Sequence, residues 1–69
     1  MFGLHTIGRR CRRFRERKGL SQTYVAECVP TTQANISRFE NGQNNNAMIL
    51  TTYIMLGLTT YELTTGKEV

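Results

Sequence analysis

Helix start and stop signals interrupt this chain at short intervals, and that punctuation restricts it to short helices. Gly19, Pro30, the pair Asn41-Gly42 and Gly57 each close a segment with helical apolar spacing, while Ser21, Thr32, Asn46 and Thr59 each supply a capping oxygen for the next one. The first segment runs from Ile7 to Lys18 on the stripe Ile7, Cys11 and Phe14, with arginines on its other faces. A second segment buries Val25, Ala26 and Val29 and stops at Pro30, which lacks the N–H that the helical ladder needs. A third runs from its Thr32 cap through Ile36 and Phe39 to Glu40. Gln43 to Asn46 reads as a linker, and the apolar run Met48, Ile49, Leu50, Tyr53, Ile54, Met55 and Leu56 forms the fourth helix. Thr59-Thr60-Tyr61-Glu62 has capping-box spacing for a last short helix with Tyr61 and Leu63. No alternating strand pattern and no internal repeat interrupts this reading. The expectation is an all-α bundle of about five short helices, one domain over 5–66, with 1–4 and 67–69 frayed.

A chain of 69 residues that is 39% hydrophobic builds one small core and leaves little rigid scaffold for a catalytic cleft. It shows no paired carboxylates and no nucleophile with its base, so an enzyme is not expected. Cys11 and Cys28 are too few for a disulfide framework, and with His5 as the only histidine they make no four-ligand zinc set. We therefore expect no metal and no cofactor. A reduced, cytoplasmic setting fits, since the opening residues contain no signal-peptide apolar run and nothing approaches the roughly 20 apolar residues of a membrane span.

The net charge of +4 is unevenly placed. Seven of the nine basic residues (Arg9, Arg10, Arg12, Arg13, Arg15, Arg17 and Lys18) lie in the first helical segment, where Glu16 is the single acid. The remainder is slightly acidic. Such a patch suggests a polyanionic partner, although a charge run on a helix is more often only a solvated face.

Two short helices joined by a tight turn, the second polar at its start, form an arrangement that admits a helix to the DNA major groove. Particular residues strengthen that reading: Ile7-Gly8, Arg10, Arg12, Phe14-Arg15, Lys18-Gly19-Leu20-Ser21-Gln22, Val25-Ala26 and Ile36-Ser37-Arg38-Phe39-Glu40-Asn41-Gly42. In register over about Ile7 to Gly66, they resemble the Cro/C1-type (Xre-like) helix-turn-helix family. The resemblance implies a lambda repressor-like DNA-binding domain that acts as a transcriptional regulator, a repressor, on double-stranded DNA.

By position, the resemblance puts Gln33, Ala34 and Arg38 at base edges, with Asn35 and Ser37 as additional contacts. Glutamine pairs with adenine, arginine with guanine, and an alanine methyl touches thymine. Arg38 holding only a phosphate, and Ser37 facing the neighbouring helix, are the alternatives. The resemblance implies phosphate contacts at Arg10, Gln22, Thr32, Asn41 and Gln43, which set register without reading sequence. For Thr32, as for Ser21, plain helix capping is the simpler role. Arg15 and Glu40 match a pair that forms an internal salt bridge in relatives.

Three features depart from the family pattern. Pro30 stands where the turn usually has glycine, Thr31 where an apolar residue usually plugs the core, and Thr52-Tyr53 where a Leu-Ala pair is usual. Met48 and Met55 read as gap-filling core. Apolar surface beyond the needs of a lone bundle, at Tyr53, Met55, Leu58 and Tyr61, suggests a homodimer interface. The competing reading is a protein-interaction module (an antirepressor, modulator or antitoxin) that keeps the fold to grip a protein partner.

Overall fold

Four of the five helices begin on a side-chain oxygen. Ser21 accepts from the Tyr24 amide, Thr32 from Asn35, Asn46 from Met48 and Ile49, and Thr59 from Glu62. Each cap satisfies a donor that the first helical turn leaves without a partner. The computed structural model describes residues 3–67, which form α1 (Leu4–Arg17), α2 (Gln22–Cys28), α3 (Gln33–Glu40), α4 (Ala47–Met55) and α5 (Thr60–Thr65), with no strand among them. This is the all-α bundle that the sequence implies.

α1 starts at Leu4, a turn earlier than its apolar spacing indicates. That turn is held from outside the helix: a Cβ on Gly42 would lie 2.9 Å from the Cα of His5, so the backbone after α3 packs directly on it. Gly42 has φ of +77°, a left-handed conformation that glycine adopts without penalty. Leu4 is therefore helical, while 1–2 and 68–69, the remainder of the termini expected to fray with Gly3 and Lys67, lie outside the described residues.

α1 is the central element, packing against α3, α4 and α5, while α2 packs on α3 and α4. Cys11, Phe14, Val25, Ile36, Ile49, Tyr53 and Leu58 are fully buried where these helices meet. Burial, with the nearby Glu40 and Glu62 carboxylates, pushes the Cys11 thiol up to about 12, so it stays protonated and packs as a small apolar side chain. The Phe14 ring meets Tyr53 edge to face at 6.5 Å, and Phe39 stacks on Tyr53 at 5.9 Å.

Two expectations for α4 and the residues that follow it are corrected. Ile49 and Tyr53, four residues apart, share its inward face, which leaves Met48 and Met55 64% and 81% exposed rather than filling core gaps. Tyr53 and Leu58 are 0% and 1% exposed and already committed to the core, so they are removed from the suggested dimer surface. Met55 and Tyr61 remain exposed. No helix among the described residues is long and apolar enough to cross a membrane.

Gly8 marks the closest approach between α1 and the end of α3. A Cβ there would fall 2.4 Å from the Phe39 carbonyl oxygen and 2.7 Å from that of Glu40, and backbone cannot yield as a flexible side chain can. Gly8→Ala is expected to lower unfolding free energy by about 1–3 kcal/mol in urea denaturation, the usual cost of overpacking. An unchanged midpoint would show that α3 can move away.

Candidate nucleic-acid interface

The interface is built from a buried carboxylate outward. Glu40, at the end of α3, receives two bonds from Arg15 on α1, Nε to Oε2 at 2.7 Å and Nη2 to Oε1 at 3.1 Å. Gln22 on α2 donates its side-chain amide to Oε1 at 3.2 Å, and the Tyr53 hydroxyl on α4 donates to Oε2. One carboxylate therefore joins four helices. Arg15 also donates to the Leu20 carbonyl at 2.8 Å, tying down the loop before α2. The Arg15 and Glu40 side chains are 10% and 1% exposed, so desolvation makes the pair costly unless every polar atom is satisfied. Among the described residues, no buried side-chain nitrogen or oxygen lacks a partner. The bond to Glu40 raises the Arg15 pKa, while burial, and then the bond it donates to Glu40, raises that of Tyr53.

With Ile36, Phe39 and Glu40 turned inward, α3 presents Gln33, Ala34, Arg38 and, just past its end, Asn41 to solvent. Asn35 and Ser37 are half-buried at the margins of that face. Gln33 does not hang free: its side-chain amide donates to the Gln22 Oε1 at 3.2 Å, so a chain of bonds runs from Glu40 through Gln22 to the first residue of α3. Arg38 donates to Asn35 Oδ1 at 3.1 Å, and Asn35 in turn donates to the Thr31 hydroxyl at 2.9 Å. Thr31, a polar residue in the turn, is thus an anchor for α3. The turn spans Val29 to Thr32 with a cis Val29–Pro30 peptide, and the Thr31 amide donates to the Ala26 carbonyl at 2.7 Å.

The residues suggested as phosphate contacts separate into two groups. Gln22, Thr32, Asn41 and Gln43 belong to the start of α2 and to the two ends of α3, where Gln43 donates its backbone amide to the Arg38 carbonyl at 2.8 Å. Arg10 lies elsewhere. It donates to the Leu63 carbonyl at 2.7 Å, Arg13 donates to that of Gly66 at 3.4 Å, and Arg17 grips Glu62 at 2.5 and 2.9 Å. This row faces the end of α5, where exposed carbonyls and the helix dipole favour cations. The bond from Arg17 holds the Glu62 carboxyl below the usual glutamate range, and Arg17 engages both of its oxygens. Sequence spacing of 10, 13 and 17 against 9 and 12 carried this division, but only a known position for α5 gives it meaning.

α2, the four-residue turn and α3 thus form a helix-turn-helix unit whose second helix is polar outward and anchored inward. The comparison with protein families agrees: residues 6–47 match the model of the helix-turn-helix domain, which is most of the chain, and the chain belongs to that family. No curated protein and no solved structure matches it.

If Glu40 joins the helices as described, Glu40→Ala leaves the Arg15 charge buried without its partner and is expected to cost about 3–5 kcal/mol. Tyr53→Phe, which deletes one bond to a charged acceptor, should cost about 1.5–3 kcal/mol. Urea denaturation of both variants checks this, and a loss below about 1 kcal/mol for Glu40→Ala contradicts it.

Proposed function

We propose that this chain is a sequence-specific, duplex-DNA-binding transcriptional regulator of the Cro/C1 (Xre-like) type, a repressor, which lays α3 in the major groove. The observation that carries the reading is the outward face of α3: Gln33, Ala34 and Arg38 exposed together on a helix anchored from behind at Glu40. Groove readers need donors held in a definite orientation, because bidentate recognition of a base tolerates little misplacement. The bonds that Gln33 donates to Gln22 and Arg38 donates to Asn35 supply that orientation before DNA arrives. Gln33 suits adenine, Arg38 guanine and the Ala34 methyl thymine. Gln22, Thr32, Asn41 and Gln43, at the start of α2 and at the two ends of α3, offer uncharged donors for backbone phosphates that set register.

A homodimer would place two copies of α3 on half-sites about one helical turn apart. Met55 and Tyr61, both exposed, are the residues that would meet across the two-fold axis. The second reading, a protein-interaction module that grips another regulator, is favoured by the same surface, since Met48, Ile54, Met55 and Tyr61 are 42–81% exposed.

Selection of binding sites from random duplexes, followed by measurement of the Arg38→Ala variant, tests the proposal. The wild-type protein should bind DNA with an affinity that falls as salt rises, and Arg38→Ala should cost about 1–3 kcal/mol while relaxing preference at one base position. Equal loss on every sequence would make Arg38 a phosphate contact. Absence of any salt-sensitive association at low ionic strength would overturn the regulator reading in favour of the interaction module.

A further inference from the structure

We propose that a cleft of about 510 Å³ between the start of α1 and the end of α3, lined by His5, Arg9, Arg12, Glu40 and Asn41, receives one backbone phosphate of the bound duplex. This rests on the duplex-binding reading and extends it to a site that the helix-turn-helix unit alone does not contain.

The helical period builds the cleft. Residues 5, 9 and 12 fall on one face of α1, offset from the row at 10, 13 and 17 that is bonded to α5. The two rows therefore differ in what they hold. Arg9 makes no salt bridge among the described residues, and Arg12 pairs only with Glu16 at 3.3 Å, both side chains more than half exposed. An exposed pair of that kind is worth little and gives way readily to a phosphate. Glu40 also borders the cleft, but its carboxylate is held by Arg15, Gln22 and Tyr53, and Arg15 neutralises its charge. With Glu40 paired, the cations that border the cleft are Arg9 and Arg12, the latter shared with the exposed Glu16.

Position relative to α3 supplies the second line of reasoning. Asn41, three residues after Arg38 and just past the end of α3, is exposed like Arg38 and lines the cleft, so the exposed surface at the end of α3 continues into it. A phosphate flanking the groove would meet two guanidinium groups and the Asn41 amide. Gly42 lets the backbone that follows Asn41 pack against His5, which lines the cleft, since a Cβ there would lie 2.9 Å from His5 Nδ1. A second cleft, lined by Thr6, Arg9, Arg10, Arg13, Thr65 and Gly66, shares Arg9 with the first, but its Arg10 and Arg13 are bonded to the carbonyls of Leu63 and Gly66 at the end of α5.

The test compares the salt dependence of duplex binding for wild type, Arg9→Gln/Arg12→Gln and Arg13→Gln, with thermal unfolding recorded for each. The double variant should keep its unfolding midpoint, bind all duplexes more weakly and lower the slope of log K against log salt by about 0.9, the contribution of one phosphate. Arg13→Gln should leave that slope unchanged. In parallel, inorganic phosphate titrated into the wild-type protein should move the backbone amide resonances of His5, Arg9 and Asn41. Duplex binding with an unaltered slope in the double variant, or phosphate-induced shifts confined to other residues, overturns the cleft while leaving the regulator reading intact. Movement of those amides by free phosphate without any duplex binding replaces the DNA phosphate with a small anion. A wild type that binds neither overturns both readings.

Discussion

The Glu40 carboxylate is the point on which the arrangement of this small protein turns. It accepts from Arg15 on α1, Gln22 on α2 and Tyr53 on α4, while belonging to α3. An apolar core this small specifies helix positions only loosely, because apolar contacts are non-directional. Bonds to a buried carboxylate are directional, and a charge that must be fully satisfied admits few alternative geometries. The orientation of α3 thus follows from a polar junction, with Phe14, Ile36, Phe39 and the Tyr53 ring packed around it.

Outward from that junction the bonds continue to the surface. Gln22 links Glu40 to Gln33, and Thr31 links the turn through Asn35 to Arg38. The polar residues that face solvent on α3 are therefore connected to the parts of the fold that define its position. Besides Arg15, which is committed to Glu40, α1 divides its arginines, three bonded to α5 and the residue after it and two facing the end of α3 beside His5. The basic patch is thus partly an internal clamp and partly an exposed surface.

Much of this could be read from the sequence because helix ends are local chemistry. Ser21, Thr32, Asn46 and Thr59 cap in the structure as their residue types and positions indicate, and the starts of α2 to α5 follow from them. What could not be read was the rotation of helices that lack a single apolar stripe. α4 is apolar nearly all round, so nothing in its spacing showed that Tyr53 turns inward to Glu40 while Met48 and Met55 face solvent. α1 is arginine-rich on every face but one, so the spacing that separates Arg10 from Arg9 carried no structural meaning until α5 took its place. The extra first turn of α1 was hidden because His5 and Thr6 carry no apolar signal, and it is held by the backbone at Gly42.

The most direct measurement is a titration of the isotope-labelled protein with duplex DNA, followed through its backbone amide resonances. If the face of α3 held by the Glu40 junction lies in the groove, the largest changes fall on Gln22, Thr32 to Arg38 and Asn41. The exposed parts of α4 and α5 around Met48, Met55 and Tyr61 should respond only to protein concentration. Changes confined to α4 and α5, with α3 unmoved at saturating duplex, would contradict it.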